Sequence, residues 1–166
     1  MAFASHVALE QWDWDSTRIV ATPGNEPRTS AILKKTPLDV RTQVKFGADV
    51  GLRRMRDVLK DLDIKVTLLV SGSYAEDFPE IVKEMAALGH EVNAHTYSYS
   101  TATVNLTREQ QREDIQKTVE ICLQVTGLKP VGWLSQGASC NENTVELLAE
   151  EGFLYQADLQ DDDLPF

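Results

Sequence analysis

From about residue 49 onward, the apolar positions alternate between helical spacing and short uninterrupted runs. The first set has the spacing i, i+3, i+4 and i+7, and its members are Met55, Val58, Leu59 and Leu62. That spacing predicts one apolar helix face, and the run KVTLLV at 65–70 then predicts a buried strand. Helices that alternate with strands are typical of βαβ units, so the pattern predicts an α/β fold with a mainly parallel sheet.

The ends of the later helices are marked by residues that favour helix termini. Gly89, Gly127 and Gly152 stand where a left-handed residue commonly closes a helix. Thr107 begins a capping box, and Asn141 is a second N-capping residue. We therefore expect one helix before each of these glycines.

The remaining strands and helix faces follow from the same spacing. Further strands are predicted at 3–9, 91–95, 131–134 and 153–157. The apolar helix positions are Phe78, Ile81, Val82 and Met85, then Ile115, Val119 and Cys122, then Val145 and Leu148. Residues 22–42 contain three prolines and predict a long loop.

Ligand sites of parallel α/β sheets gather where the strands end at their carboxyl edge. The segments selected by this rule are 10–15, 71–74, 95–100, 134–139 and 158–163. We therefore expect any functional residues among these five segments.

Length, composition and charge narrow the class of protein. The chain has 166 residues, of which 42% are apolar and 25% charged, so a single domain over residues 1–166 is expected. The chain lacks a membrane-spanning run, and its start does not resemble a secretory signal, so a cytoplasmic location is expected. A net charge of −10 disfavours nucleic acid and anionic membranes as partners. Cys122 and Cys140 are expected to be reduced structural thiols.

The sharpest local motif is GHEVNAHTYSYS at 89–100, which places His95 at a strand end before a hydroxyl-rich turn. Together with KVTLLVSG at 65–72 and WLSQGAS at 133–139, this motif resembles the polysaccharide deacetylase family, also called the NodB-homology or carbohydrate esterase 4 family. Within that family, the resemblance extends to the branch of allantoinase-like and cyclic-imide hydrolases. It covers residues 44–166 and, more weakly, the first strand.

The resemblance implies a fold and a metal-dependent chemistry. The fold is a distorted (β/α) barrel of the NodB-homology type, and the cofactor is a divalent metal, usually zinc, held by one aspartate and two histidines. Family members use the metal to polarise an amide carbonyl and to lower the pKa of bound water, with a carboxylate as the base. The positions that match the metal ligands are Asp13, His95 and Tyr99. The catalytic carboxylate is Asp13 or Glu10, and the sequence leaves both open.

The implied reaction is the hydrolysis of carbon–nitrogen bonds other than peptide bonds. Its substrates would be N-acetyl sugars, or small amides, ureides and imides. The substrate-binding candidates are aromatic and hydroxyl residues near the strand ends, namely Tyr97, Trp133, Ser135 and Ser139.

The chain departs from the family pattern at several positions. Tyr99 stands where the second metal histidine is expected, and a phenol with a pKa of about 10 is a poor zinc ligand at neutral pH. Leu134 and Gln136 replace an arginine and a proline. The family also continues with further strands and a late histidine that acts as the acid, so we expect the C-terminal part of the domain to be lacking. The resemblance therefore predicts a damaged metal site.

Two other functions are considered beside a metal-dependent hydrolase. An inactive relative would keep the sheet and bind a carbohydrate or a partner chain. Since five strands are too few to close such a barrel, an open edge would also favour a homo-oligomer. A nucleotide-binding domain is disfavoured because no Gly-x-Gly-x-x-Gly follows any predicted strand.

Overall fold

Five parallel strands form one sheet in the order β1-β2-β3-β4-β5 in the computed structural model, which describes residues 5–10, 38–99 and 102–159. The strands are β1 His6–Leu9, β2 Thr67–Val70, β3 Glu91–Ala94, β4 Gly132–Trp133 and β5 Tyr155–Gln156. The register aligns one row across the sheet, consisting of Leu9, Val70, Ala94, Trp133 and Gln156. The predicted α/β class with a mainly parallel sheet is confirmed.

Six α-helices lie between and around these strands within the described part of the chain. They are α1 Leu38–Phe46, α2 Leu52–Asp61, α3 Gly72–Asp77, α4 Pro79–Ala87, α5 Arg108–Thr126 and α6 Glu142–Glu150. A π-helical turn at Gly47–Gly51 joins α1 to α2, and short 3-10 turns occur at Thr103–Asn105 and Gln136–Ala138. None of these helices is long and apolar enough to cross a membrane.

The helix ends agree with the capping residues in the sequence. The Thr107 hydroxyl accepts a hydrogen bond from the N–H of Gln110 in a complete capping box, and Asn141 caps α6 in the same way. Gly89, Gly127 and Gly152 all have positive φ, between +75° and +83°. These ends were predictable because each depends only on contacts within a few residues.

The core lies between the sheet and the helices. Leu68, Val70 and Met85 are fully buried there, and each such side chain stabilises the fold by roughly 1.5–3 kcal/mol relative to exposure. A second cluster forms around Trp133, which packs edge-on against Phe153 with ring centroids 5.7 Å apart.

Two predictions from the apolar spacing and one from the proline content differ in part from the structure. In and just after α2, Met55, Val58 and Leu62 are 42–64% exposed. Leu52 is buried instead, and Leu59, the fourth residue of the predicted stripe, packs against the core. In α6, Val145 is 41% exposed, while Leu147 and Leu148 are buried. The predicted loop at 22–42 is helical from residue 38, where α1 begins, and residues 22–37 lie outside the described residues.

The two faces of the sheet have different environments. The aligned row at Leu9, Val70, Ala94 and Trp133 is buried in the core beneath the helices. Side chains alternate between the two faces along a strand. The residue that follows each member of this row along its own strand therefore points to the opposite, concave face. Glu10 and His95 both occupy such positions, at the carboxyl edge of the sheet.

Candidate functional site

The concave face of the sheet lines a cavity of about 470 Å³. Its lining includes polar residues from three strands and from the turn after β3, namely Glu10, Asn93, His95, Tyr99 and Tyr155. Close packing of its floor depends on Gly132, because a Cβ at this position would lie 2.3 Å from the Tyr155 ring. Asn93 Nδ2 donates a 2.6 Å hydrogen bond to the Tyr155 hydroxyl, so the floor joins β3 to β5.

Glu10, Tyr99 and His95 form a hydrogen-bonded cluster at one end of this cavity. The Tyr99 hydroxyl donates to Glu10 Oε1 and lies 2.6 Å from His95 Nε2. His95 Nε2 also lies 3.3 Å from Glu10 Oε1. His95 and Tyr99 are 2% and 4% exposed, so their polar atoms are largely shielded from bulk water.

The turn after β3 places Tyr99 beside His95. The N–H of His95 donates to the Val70 carbonyl, which holds His95 at the end of the strand. The next residue, Thr96, has φ +54°, a left-handed conformation that is uncommon for a residue with a branched side chain. Its hydroxyl donates to the His95 carbonyl at 2.7 Å, and this local bond helps to hold the turn.

The second ring nitrogen of His95 determines the tautomer. His95 Nδ1 lies 2.5 Å from the carbonyl oxygen of Leu134, and a carbonyl oxygen can only accept a hydrogen bond. Nδ1 therefore carries a proton, and Nε2 is the nitrogen that faces Glu10 and Tyr99.

Burial and hydrogen bonds act in opposite directions on the acidic groups of the cluster. Burial raises the pKa of Glu10, but its polar contacts with His95 and Tyr99 outweigh this effect, and the net pKa is lowered. The pKa of Tyr99 is raised above its usual range, first by burial and then by the Glu10 carboxylate. Glu10 is therefore ionised and Tyr99 is a neutral phenol at neutral pH.

The predicted substrate-binding residues lie away from the cavity. Trp133 is completely buried in the core, and its Nε1–H donates to Ser135 Oγ at 2.9 Å. Ser135 is also buried, and Ser139 donates to the carbonyl of Gln136. Tyr97 packs against the helices, with its ring centroid 3.4 Å from Lys117 Nζ. Among the aromatic residues of the motif at 89–100 and the segment at 133–139, Tyr99 reaches the cavity, whereas Tyr97 and Trp133 do not.

Asp13 lies outside the described residues, so its predicted role as a metal ligand or base stays a prediction. Within residues 5–10, 38–99 and 102–159, no three His, Cys, Asp or Glu side chains are close enough to hold a metal ion. His95 and Glu10 supply two suitable donors, and the phenol of Tyr99 is a poor third. The described residues thus do not fit the three protein ligands of a catalytic zinc site.

Sequence reasoning did not single out Asn93, Tyr155 or Asp158. Asn93 could have been found from its position, since it lies two residues before His95 on β3 and so shares its face of the sheet. Asp158 lies in a segment selected by the strand-end rule, just beyond β5. Its partners follow from tertiary packing, which the local sequence does not show.

The parallel sheet carries an imidazole and a carboxylate at its carboxyl edge. These features place the chain in the class of α/β proteins whose ligand site lies beyond the ends of the strands. The family model described as "Polysaccharide deacetylase" matches residues 46–155, and the chain belongs to this family. The predicted NodB-type fold is thereby confirmed. Members of the family are in general metal-dependent.

The chain is similar to curated deacetylases over part of their length. It is 31% identical to the peptidoglycan deacetylase of Helicobacter pylori over 118 residues, which cover 71% of this chain and 40% of that protein. It is 34% identical to the peptidoglycan-N-acetylglucosamine deacetylase of Bacillus cereus over 102 residues, or 61% of this chain and 36% of that protein. The chain therefore spans less than half the length of these relatives.

A solved structure matches almost the whole chain. The structure of Puue allantoinase superposes with a TM-score of 0.78 at 25% identity, covering 98% of this chain and 55% of that chain.

Proposed function

We propose that this chain carries the site of a hydrolase that acts on carbon–nitrogen bonds other than peptide bonds. The observation that carries the proposal is the pairing of the Glu10 carboxylate with the His95 imidazole, joined by Tyr99, at the edge of the cavity. A carboxylate and an imidazole in hydrogen-bond contact are the groups that general acid–base hydrolysis requires. Membership of the polysaccharide deacetylase family supports the same reaction class.

The hydrogen-bonded cluster can accept a proton from the attacking water and deliver one to the departing nitrogen. When water attacks the amide carbon, the Glu10 carboxylate accepts the proton that the water releases. The Glu10 carboxyl can then donate to the Tyr99 oxygen while the Tyr99 proton moves to His95 Nε2, because each pair is in hydrogen-bond contact. The imidazolium next donates its Nε2 proton to the departing nitrogen, which leaves as an amine beside the new carboxylic acid.

The size of the cavity favours a small substrate. A volume of about 470 Å³ lies within the range of small-molecule sites, roughly 300–1,000 Å³. The similarity to Puue allantoinase over nearly the whole chain favours a ureide or cyclic imide, and the peptidoglycan deacetylase relatives favour an N-acetyl sugar. Allantoin, a cyclic imide and N-acetylglucosamine oligomers form the panel that separates these substrates.

The predicted zinc site is kept as a separate proposal. It would use His95 together with a carboxylate from Asp13 or Glu10, and the mechanism above does not depend on it. Because Tyr99 occupies the position of the second histidine, we expect weak zinc binding by the wild-type chain.

The test compares turnover of the panel by the wild-type chain with that of Glu10→Gln and His95→Gln. Each substitution removes one proton-transfer group, so kcat/KM should fall by about 100-fold or more. Glu109→Gln, an exposed position at the start of α5, is the matched control and should keep full activity. Equal turnover by the wild type and all three variants would show that neither Glu10 nor His95 takes part in the reaction.

One observation favours an inactive relative as the second candidate. The Tyr99 hydroxyl contacts both Glu10 and His95, so the place of a metal ligand is occupied by a neutral hydrogen-bonding group. Carbohydrate binding without turnover of any member of the panel would support this candidate over the hydrolase.

We further propose that the sheet pairs with a second copy of the chain. Within the described residues, β1 contacts only β2 and β5 contacts only β4, so both edge strands have an unpaired side.

A further inference from the structure

One peptide group lies between the imidazole of His95 and the carboxylate of Asp158. The carbonyl of Leu134 faces His95 Nδ1 at 2.5 Å. The N–H of Ser135 donates to Asp158 Oδ1 at 2.7 Å. This carbonyl and this N–H belong to the same planar peptide group and point in opposite directions.

Asp158 is held firmly in this position. The Ser135 hydroxyl donates to its second oxygen, Oδ2, at 2.9 Å, so both carboxylate oxygens accept a hydrogen bond. The N–H of Asp158 itself donates to the Gln156 side chain, and the residue is 6% exposed. Asp158 therefore presents a buried, well-oriented negative charge to the peptide group.

A charge on one side of a peptide group affects the hydrogen bond on its other side. Hydrogen bonds that run through one amide polarise it cooperatively, and a charged acceptor on the N–H strengthens the carbonyl as an acceptor. The two residues are therefore coupled electrostatically although no direct hydrogen bond joins them.

We propose that Asp158 is a positioning residue, which acts through the Leu134–Ser135 peptide group to keep Nδ1 of His95 protonated and Nε2 directed at Glu10 and Tyr99. The effect on the tautomer is a property of the chain by itself. Only the effect on turnover rests on the proposed function.

The test reads the His95 ring directly by long-range ¹H–¹⁵N correlation spectra of the imidazole groups. The chain has three histidines, so His6 and His90 serve as internal references. In the wild type, Nδ1 of His95 should appear as the protonated nitrogen, with a strongly deshielded proton. Asp158→Asn keeps the shape and one acceptor but removes the charge, so this proton should move upfield and exchange faster with water. Asp158→Ala should add a population of the tautomer protonated at Nε2.

Glu109→Gln is the control, since it also replaces a carboxylate by an amide, but at an exposed position at the start of α5. Its His95 resonances should match those of the wild type. If the Asp158→Asn spectrum also matched the wild type, Asp158 would have no influence on His95 and the proposal would be wrong. Asp158→Asn is nearly isosteric, so it decides the question even if Asp158→Ala fails to fold.

Turnover provides a second readout that separates this proposal from the proposed function. If the chain is a hydrolase, Asp158→Asn should lower kcat by about 10- to 100-fold with little change in KM, as is usual for residues that orient a catalytic histidine. A changed His95 spectrum in a chain without any turnover would uphold the positioning role and reject the hydrolase. Unchanged His95 spectra of Asp158→Asn in a chain that turns over substrate would reject the positioning role and leave the hydrolase proposal in place.

Discussion

Tyr99 is the residue on which the chemistry of the site most depends. It stands where the family pattern has a histidine, and its hydroxyl contacts both the imidazole of His95 and the carboxylate of Glu10. A neutral phenol in this place connects proton donors and acceptors, whereas an imidazole would add a metal ligand. One side chain therefore separates two kinds of site.

Replacing Tyr99 by histidine tests this difference. Tyr99→His supplies a second imidazole four residues after His95, and zinc affinity measured by calorimetry at neutral pH should rise by about tenfold or more, which requires only ~1.4 kcal/mol. Tyr99→Phe is the matched control, because it removes the hydroxyl without adding a ligand. Identical zinc titrations of the two variants would show that the position does not face a metal.

The residues of the site show where sequence reasoning was sufficient. The strand-end rule and the motif at 89–100 indicated His95 and Tyr99, and the structure places both at the cavity. The sequence left Glu10 and Asp13 open because several acids follow the first strand. Trp133 was predicted to bind substrate, but its position in the aligned row directs its side chain into the core, which only the sheet register reveals.

At the scale of elements, α5 links the helix layer to the turn that carries Tyr99. Asp114 on α5 accepts the N–H of Tyr97 with both carboxylate oxygens, at 3.1 and 3.2 Å. Burial raises the pKa of Asp114 to about 6, against weaker opposing effects of this N–H and of Lys117. Asp114 thus contacts the motif at Tyr97, two residues before Tyr99.

This raised pKa predicts a pH-dependent stability. A carboxyl whose pKa is higher in the folded state stabilises the fold below pH 4, and that contribution is lost as the pH rises through about 6. The loss is on the order of 2–3 kcal/mol for a shift of about two pKa units. Asp114→Asn stays neutral, so its free energy of unfolding relative to wild type should increase between pH 4 and pH 7 in urea titrations.

Glu113→Gln, at the neighbouring exposed position, is the control for this series and should follow the wild-type curve. Parallel curves for wild type and Asp114→Asn across the whole pH range would contradict the assignment.

The helices also show the limit of local prediction. Capping residues located the starts of α5 and α6, because caps act within one turn. The predicted buried face of α2 was only partly right, since Leu59 packs against the core together with Leu52, whereas Met55, Val58 and Leu62 are exposed. Which face of a helix is buried depends on the elements that pack against it. Apolar spacing alone predicts that the helix has an apolar stripe, but not that this stripe is buried.

At the scale of the whole molecule, the parallel order of the sheet was predictable because regular βαβ alternation allows few topologies. The cavity on the concave face was not predictable, since its lining comes from the five strands and the residues that follow them and depends on how the strands are arranged in space. Five strands with two unpaired edges leave backbone donors and acceptors on each side of the described sheet.

The proposed pairing of copies predicts concentration-dependent association. In sedimentation equilibrium, the average mass should rise above the 18.5 kDa of one chain as the protein concentration increases. The net charge of −10 opposes association at low ionic strength, so added salt should favour it. A mass of one chain at every concentration and salt level would rule out the pairing.

The register of β1 against β2 has a further consequence. Leu9 is paired with Val70, and this pairing alone brings the next side chain, Glu10, to the concave face. A slip of one residue would turn Glu10 towards the helices and separate it from Tyr99. The ultraviolet difference spectrum between the wild type and Tyr99→Phe isolates the phenol that contacts this carboxylate. It would thus report whether a refolded molecule has paired its first strand in the correct register.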